Sequence, residues 1–245
     1  MIDEFLLKRT MQIKKTCPIY ALEDKCLTFA KDGIMLNMLR NETKEVDIIV
    51  PKDAPIILLP PNIYVHRVDD VKSVYIPLHN MINKDKEPME NSISPLAYIH
   101  PTAVVGVPGN NITKLKDGRI INMKHMGNVV IESYAEVQAQ SVIHRGVFAS
   151  TIIRRNAQIF SLVNIGHNCY IGDSTIICPG SMIAGGTKIG RDCYIWQGVV
   201  TRSNVKICDN VIIGAGSLVL DDITKPGVYY GSPARYVKPY DEAIR

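Results

Sequence analysis

The chain has 245 residues, of which 46% are hydrophobic and 21% are charged, and its formal net charge of +4 fits a globular protein with one large or two small domains. The charge is only mildly basic, and no dense block of lysine and arginine alternates with aromatic residues, which argues against a nucleic-acid partner. No apolar run reaches the roughly 18 residues of a membrane span, and the first residues carry no cleavage signal, so we expect a cytoplasmic protein without membrane insertion.

Residues 1–86 predict a small α/β domain. The stretches "CLTFA", "EVDIIVP" and "PIILLP" have the composition of short strands, and "DDVKSVYIPLHNMIN" has a partly helical pattern that Pro77 should interrupt. No GxGxxG motif follows any of these strands, so the sequence does not support a dinucleotide-binding fold. The polar stretch "NKDKEPMENSISP" then predicts a linker.

A six-residue repeat dominates the rest of the chain and is clearest from residue 153 onward. Ten of the twelve residues at the repeat positions are isoleucine, and ten of the twelve residues three places later are asparagine, glycine or aspartate. Those three types adopt a left-handed backbone conformation at low cost, so each unit predicts a short strand and a corner. Repeats of this length stack as a parallel β-helix, in which three units close one coil of eighteen residues. We therefore predict a mainly β protein, with a β-helix over residues 97–228 and a tail over 229–245.

Two interruptions break the repeat. An early coil begins at "YIHPTAVVGV" and is interrupted by "PGNNITKLKDGRIINMKHMGN", whose polar composition predicts a long external loop. The repeat then continues through Ile131, Val137 and Ile143, and slips by four residues at "HRGVFAST", which predicts a second loop outside the β-helix. Both loops lie close to histidines, His125 and His144.

The cysteines have no metal-ligand or disulfide spacing, and we expect reduced thiols. They are Cys17, Cys26, Cys169, Cys178, Cys193 and Cys208. Only His144 and His167 lie within the repeat, which leaves a zinc site of three histidines without its third ligand. We therefore expect no bound metal or cofactor.

Many segments of the chain resemble hexapeptide acyltransferases of nucleotide-linked amino sugars, above all the N-acyltransferase family of lipid A biosynthesis. In the order of that family, and over about nine-tenths of the chain, they are "LTFAKD", "VDD", "MGNVVIESYAEVQ", "IHRG", "TIIRRNAQI", "NIGHNCYIGD", "AGGTKIGRDCYI", "ICDNVIIGAGS" and "ITKPGVY". The ending "YYGSPARYVK" is more similar to sugar acetyltransferases. The resemblance implies a left-handed β-helix, homotrimers with active sites between neighbouring prisms, and a histidine general base.

The resemblance identifies His167 as that base, and its position in the eighteen-residue coil supports the role. His167 lies two residues after a repeat position, on an outward corner, and Gly185 follows one coil of eighteen residues later. The Gly185 N–H then lies beside the imidazole, where a donor to a developing oxyanion is needed. Asn168 follows the histidine as it does in the lipid A enzymes, and Asn164 is either a supporting polar contact or a turn amide. Which group orients the ring stays open.

In the related enzymes, an aromatic residue, an amide and a second aromatic residue of the N-terminal domain bind uracil. Phe29 fills the first of these places, whereas Asp32 and Met35 fill the other two. The resemblance therefore implies a nucleotide stacked on Phe29, with the choice between UDP and dTDP open. His125 and His144 either line the active-site cleft together with the nucleotide-linked sugar or lie on the solvated surface.

We expect coenzyme A to deliver a short acyl group. Trp196 occupies a corner where the lipid A enzyme has glycine, so it either shortens the acyl groove, contacts the pantetheine arm or fills a trimer seam. Candidate contacts for the coenzyme A phosphates, or a solvated basic rim, are Arg202, Lys206, Arg235 and Lys238. Because the chain ends about a dozen residues after "GSPAR", we expect it to lack the helical extension by which the lipid A enzyme takes its acyl chain from acyl carrier protein.

These features predict an N-acyltransferase that moves a short acyl group from acyl-CoA, as co-substrate, to the amine of a nucleotide-linked amino sugar for surface glycan synthesis. The nearest alternatives are O-acylation of a sugar hydroxyl and lipid A-type N-acylation from acyl carrier protein. A zinc carbonic anhydrase and a non-catalytic trimeric scaffold are further alternatives on the same prism. The pairing of His167 with Gly185 argues against the scaffold.

Overall fold

The structure is a computed structural model that describes residues 8–30 and 32–240. Parts of the predicted N-terminal domain and tail, at residues 1–7, 31 and 241–245, lie outside the described residues. The chain divides into two compact units, one formed by residues up to Glu87 together with Asn110–Lys124, the other by Pro88–Gly109 and the residues from His125 onward. No helix in the described ranges is both long and apolar enough to cross a membrane.

The N-terminal unit is built on a parallel sheet of four strands. In sheet order these are β1 (Lys15–Thr16), β2 (Cys26–Phe29), β3 (Val46–Pro51) and β4 (Ile63–Val68). The helices of the unit are α1 (Gly33–Leu36), which continues into a 3₁₀ turn at Asn37–Leu39, and α2 (Val71–Ile82). Strand β3 has neighbours on both sides and is buried along almost its whole length, which explains its continuous apolar run.

The prediction that Pro77 interrupts its helix is wrong. Helix α2 runs through Pro77, although a proline there removes the hydrogen bond to the Ser73 carbonyl and crowds that turn. Tyr75, Ile76 and Leu78 on the same helix are buried, and α2 contacts β3. Burial of these side chains stabilises the helix across the defect.

The prediction of a strand at "PIILLP" is also wrong. That stretch is irregular, and the strand β4 lies further along the chain. Its prolines lack the N–H that a sheet ladder needs. Without a ladder to fix them, the side chains of Ile56 and Leu58 are 93% and 94% exposed.

The segment predicted as a long external loop contains an antiparallel hairpin that belongs to the N-terminal unit. Its strands are β8 (Ile112–Lys114) and β9 (Ile120–Asn122). Asn80 of helix α2 donates from Nδ2 to the Asn122 carbonyl and accepts the Lys124 N–H on Oδ1, both at 2.8 Å. His79 donates from Nε2 to the Lys124 carbonyl at 2.7 Å, and burial lowers the pKa of His79 to about 4. The hairpin is therefore held to α2 by a neutral histidine and an amide.

The second unit is a prism of three sheets, here called faces 1, 2 and 3. Face 1 contains β5 (Ser92–Ile93), β10 (Val129–Ile131), β13 (Thr151–Ile153), β16 (Tyr170–Ile171), β19 (Lys188–Ile189) and β22 (Lys206–Ile207). Face 2 contains β6 (Tyr98–Ile99), β11 (Glu136–Val137), β14 (Gln158–Ile159), β17 (Ile176–Ile177), β20 (Tyr194–Ile195), β23 (Val211–Ile213), β25 (Gly227–Gly231) and the antiparallel β26 (Ala234–Lys238). Face 3 contains β7 (Val104–Val107), β12 (Val142–His144), β15 (Asn164–Ile165), β18 (Met182–Ile183), β21 (Val200–Thr201) and β24 (Leu218–Val219).

The predicted repeat positions fill the interior of the prism. In the register of face 1, Ile153 pairs with Ile171 and Ile171 pairs with Ile189, and all three side chains are fully buried. Stacking one residue type in successive coils, at roughly 4.8 Å per coil, packs the core without gaps. The unit is a left-handed β-helix, and the predicted fold class is confirmed.

The corners also follow the prediction. From Asn156 to Gly216, the residue three places after each repeat position has a positive φ. These residues include Leu162, with a φ of 61°, and Ser174, with a φ of 54°, which are the two exceptions to the pattern of asparagine, glycine and aspartate over this range. The coils therefore impose the left-handed conformation even where the side chain disfavours it.

The β-helix has strands beyond the predicted range of 97–228 at both ends. Ser92 and Ile93, in the predicted linker, pair with Val130 and Ile131 on face 1. Residues of the predicted tail form part of β25 and all of β26, which extend face 2. The linker interpretation is wrong for Ser92 and Ile93, because an exposed strand edge on face 1 accepts even this short polar segment.

The turns from face 3 to face 1 form a column that we call the 3–1 corner. In the regular coils it comprises residues 166–169, 184–187 and 202–205. In the two coils before them, the same turn is replaced by an excursion at residues 108–128 and by a loop at residues 145–150, the loop that the slip in the repeat predicts. Both insertions therefore leave the prism on the corner that carries His167.

We predict that Pro77→Ala stabilises the N-terminal unit. The substitution restores the N–H that bonds the Ser73 carbonyl and removes the ring from the middle of α2. Native-state hydrogen exchange of the α2 amides should show an unfolding free energy raised by about 1–3 kcal/mol. Lys72→Ala, at an exposed position of the same helix, is the control and should change it by less than about 0.5 kcal/mol. An unchanged or lower value for Pro77→Ala would show that the helix accommodates the proline without loss.

Candidate active site

His167 lies on the 3–1 corner, two residues after the end of β15, and is half buried. Its Nδ1 is 3.0 Å from Asn168 Oδ1. That oxygen also accepts the backbone N–H of Val147 at 3.0 Å, so it is the acceptor of the amide, and His167 Nδ1 must carry the proton. The lone pair of the neutral imidazole is therefore on Nε2.

Asn168 is held on three sides. Its N–H donates to Thr151 Oγ1 at 2.8 Å, its Oδ1 accepts from Val147, and its Nδ2 donates to the Ala149 carbonyl at 3.4 Å. Two of these partners belong to the loop at 145–150. This loop therefore supplies the support that orients the imidazole, which answers the question that the sequence left open.

Gly185 lies one coil beyond His167 and packs against its ring. A Cβ at Gly185 would lie 2.6 Å from His167 Nε2, closer than side chains approach one another. Among residues 8–30 and 32–240, no acceptor is found for the Gly185 N–H. Gly166 leaves this N–H uncovered, because a Cβ there would lie 2.5 Å from the Gly185 nitrogen. The corner thus presents a proton acceptor and a backbone donor side by side.

Two residues at the ends of the 108–128 excursion contact His167. The His125 ring meets it edge to face, with 5.2 Å between the ring centroids and 66° between the planes, and His125 is 1% exposed. A Cβ at Gly109 would lie 3.1 Å from His167 Cβ and Cδ2. His125 therefore packs directly on the candidate base and is not on the solvated surface.

His144 and Asn164 form a separate pair. His144 Nδ1 donates to the Pro108 carbonyl at 2.9 Å, so its Nε2 accepts from Asn164 Nδ2 at 3.3 Å. Asn164, the candidate support for His167, hydrogen bonds His144 instead. Within the part of the chain that the structure describes, no three His, Cys, Asp or Glu side chains lie close enough together to hold a metal ion.

In the N-terminal unit, Phe29 ends strand β2 and is half buried. Its ring centroid lies 4.6 Å from that of Tyr75, with 49° between the planes, so part of its surface is already covered. Asp32 is exposed, and its carboxylate accepts the Met35 N–H at 3.0 Å as the N-cap of helix α1. Asp32 therefore helps to start this helix.

Trp196 follows β20 on the turn from face 2 to face 3. Its half-buried ring has its centroid 5.2 Å from that of Tyr194. This turn is a different corner of the prism from the one that carries His167. A single chain therefore does not bring the tryptophan and the histidine to one corner.

The four candidate contacts for coenzyme A are exposed and do not form one cluster. Arg202 lies on the 3–1 corner, and Lys206 lies on β22 of face 1. Arg235 and Lys238 lie on β26, and Arg235 is 3.6 Å from Asp221. Of the four, Arg202 shares the corner of His167.

Comparison with known proteins agrees with this architecture. Residues 150–185 and 186–221 match the family described as bacterial transferase hexapeptide (six repeats). The second unit is a hexapeptide-repeat β-helix. Among curated proteins, the UDP-3-O-acylglucosamine N-acyltransferase of Coxiella burnetii is 37% identical over 140 residues, which are 57% of this chain and 41% of that protein. The protein of the same name from Campylobacter jejuni is 38% identical over 137 residues, which are 56% of this chain and 43% of that protein.

This hexapeptide-repeat chain spans about two fifths of the length of the curated relatives that it matches. A solved UDP-N-acetylglucosamine acyltransferase from Arabidopsis superposes with a TM-score of 0.57 and 19% identity, over 89% of this chain and 66% of that chain. The enzyme of that name from Francisella novicida gives a TM-score of 0.54 and 21% identity, over 63% of this chain and 54% of that chain. At these identities the likeness shows the fold alone. The hexapeptide-repeat chain thus resembles an acyltransferase of the UDP-3-O-acylglucosamine type.

We predict that wild-type His167 is protonated on Nδ1 and that Asn168→Ala abolishes this preference. Without the amide oxygen, Nδ1 loses its acceptor and the proton redistributes towards Nε2. Nitrogen NMR of histidine-labelled protein distinguishes the two tautomers. Asn204→Ala is the matched control, because Asn204 lies on the same corner with a similar φ of 63°. A tautomer that stays the same in Asn168→Ala would contradict the assignment.

Proposed function

We propose that this chain is an N-acyltransferase that moves a short acyl group from acyl-CoA to the amine of a nucleotide-linked amino sugar for a surface glycan. The observation that carries the proposal is the contact of His167 with Gly185, whose N–H has no acceptor among the described residues. The similarity to UDP-3-O-acylglucosamine N-acyltransferases supports the same class of reaction.

The geometry supplies the two groups that acyl transfer requires. The amine nitrogen attacks the thioester carbonyl carbon, and the carbonyl electron pair moves onto the oxygen, which accepts a hydrogen bond from Gly185 N–H. As the C–N bond forms, the amine proton passes to His167 Nε2, and Asn168 Oδ1 stabilises the resulting imidazolium at Nδ1. When the carbonyl re-forms, the C–S bond breaks and the leaving thiolate takes the proton from Nε2.

The N-terminal unit is the proposed site for the nucleotide. Phe29 lies at the carboxyl end of a parallel strand, the edge at which such sheets bind ligands. Tyr75 supports its ring, and an aromatic face of this kind stacks on a nucleobase. Asp32 caps helix α1 through Oδ1, and its other carboxylate oxygen remains for the nucleotide-linked sugar.

The proposed donor is a short acyl-CoA. Trp196 places a bulky ring where the resemblance implies glycine, which closes a long acyl groove. Arg202 stands two coils beyond Gly166 on the 3–1 corner, and at roughly 4.8 Å per coil this is about 10 Å along the prism. Its Nε donates to the Leu220 carbonyl at 2.6 Å, and the remaining guanidinium N–H groups are suited to a phosphate of coenzyme A.

A homotrimer completes the proposal. Face 3 carries exposed apolar side chains at Val104, Met182 and Val200, which are 43%, 55% and 38% exposed. An exposed apolar patch marks a surface that binds another protein. Association of prisms through such faces allows the Trp196 corner of one protomer to meet the His167 corner of its neighbour. We place the reaction in the cytoplasm, where both proposed substrates are made.

We predict that His167→Ala lowers kcat by about 100-fold or more, while the chain still folds and assembles, as loss of a general base does. Turnover is measured by mass spectrometry of the product from a panel of nucleotide amino sugars and acyl-CoAs. His100→Ala, which removes another half-buried prism histidine, is the control and should change kcat by less than about threefold. Near-normal turnover by His167→Ala would remove the mechanism.

We predict efficient transfer from acetyl-CoA or a short hydroxyacyl-CoA and almost none from a long-chain acyl carrier protein. Each buried methylene contributes roughly 0.8 kcal/mol where a groove exists to receive it. Trp196→Gly should therefore shift the preference towards longer acyl chains, whereas Trp196→Phe, which keeps a bulky ring, should not. If kcat/KM of the wild type instead climbs with every added methylene, a long groove is open and the assignment of Trp196 is wrong.

A further inference from the structure

One repeat position in the prism is polar. Thr201 stands where the other repeat residues from 153 to 219 are aliphatic, and it is 4% exposed. Burial of a hydroxyl is unfavourable unless it is hydrogen bonded. The partners of Thr201 lie in the neighbouring coil, in the turn that carries Gly185.

The regular ladder of the prism is broken at Thr201. From Arg154 to Arg202, the N–H after each of the other repeat positions donates to the carbonyl of the repeat residue one coil further on, as Gly166 does to Ile183 at 2.8 Å. By the same rule the Ala184 N–H should donate to the Thr201 carbonyl, but it donates to Thr201 Oγ1, at 2.9 Å. Strands β18 and β21 accordingly share one registered residue pair, whereas β15 and β18 share two.

The hydroxyl of Thr201 is held in one orientation. Its oxygen accepts the Ala184 N–H, and its proton donates to Thr187 Oγ1 at 3.2 Å. Thr187 donates in turn to the Arg202 carbonyl at 3.3 Å. Because a carbonyl can only accept, Thr187 is the donor in this bond and the acceptor in its bond with Thr201. Both buried hydroxyls thus use their protons, as a satisfied polar network requires.

This network fixes the turn on both sides of Gly185. On one side Thr201 holds the Ala184 N–H, and on the other the Gly186 N–H donates to the His167 carbonyl at 2.7 Å. The peptide between these two anchors has little freedom to rotate. The N–H that it presents is that of Gly185, for which no acceptor is found among the described residues.

We propose that Thr201 is a positioning residue for acyl transfer: its hydroxyl withdraws the Ala184 N–H from the ladder and thereby aims the Gly185 N–H at the oxyanion. The inference rests on the proposed function. Valine fills nearly the same volume as threonine, but it offers the Ala184 N–H only the carbonyl of residue 201. The Gly185 peptide would then rotate with its neighbour, so the donor would point away from the oxyanion.

A second buried threonine shows what a purely structural hydroxyl does. Thr175 is fully buried, donates to the Gly190 carbonyl at 2.7 Å and accepts the Cys193 N–H at 3.1 Å. The strands on either side of it keep both of their registered pairs. Thr175 lies on the turn from face 1 to face 2, a different corner from that of His167. Thr175→Val is therefore a matched control for the loss of a buried hydroxyl.

The test compares Thr201→Val, Thr201→Ser and Thr175→Val in the full chain. We expect Thr201→Val to lower kcat about 10- to 100-fold, less than removal of an oxyanion donor, with KM for both substrates and the pH profile of kcat unchanged. Thr201→Ser keeps the hydroxyl and should recover kcat to within about threefold of the wild type, and Thr175→Val should stay within the same range. A normal kcat in Thr201→Val, or a serine variant as slow as the valine variant, overturns the inference.

A crystal structure of Thr201→Val separates this inference from the proposed function. We expect the Ala184 N–H to bond the carbonyl of residue 201 and the Gly185 nitrogen to change direction. A Gly185 N–H that stays in place overturns the inference alone, because His167 and its chemistry are untouched. If the wild-type protein transfers no acyl group from the panel, the proposed function fails and the role of Thr201 falls with it.

Discussion

The stacking of successive coils at the spacing of a β-ladder is the constraint on which this molecule depends. It places residues that are eighteen apart in the sequence next to each other, so His167 and Gly185 are in contact from one coil to the next. At that spacing no side chain fits between an imidazole and the backbone of the next coil, and glycine is required. At the candidate site, the imidazole of His167 therefore occupies the space that a Cβ at residue 185 would need.

The fold is predictable from the sequence because the repeat is both local and long. An inward aliphatic residue and a corner residue recur in every unit, so each coil finds its contacts in the next one. The same count of eighteen residues pairs His167 with Gly185. Leu162 shows how strongly the coils act, since it adopts a φ of 61° against its own preference.

The parts that sequence reasoning missed lie where the chain leaves the repeat. The loop at 145–150 orients Asn168, and the end of the excursion at 108–128 brings His125 onto the candidate base. Neither segment has a period from which its register can be counted. The continuity of helix α2 through Pro77 was missed because the burial of its apolar side chains outweighs the local effect of a proline.

A backbone N–H of such a prism can serve a substrate only where it lies outside the ladder. An N–H that belongs to a ladder already has its acceptor and has no hydrogen left to offer a substrate. At the 3–1 corner the N–H of Gly185 is outside the ladder, and a polar residue inside the core, Thr201, holds the preceding amide. The regular coils fix the separation of base and donor, whereas the excursion at 108–128 and the loop at 145–150 form the surroundings of the base. The coil spacing sets the separation of the two backbones, so a change in the loop at 145–150 acts through the orientation of the imidazole, which Asn168 and that loop determine.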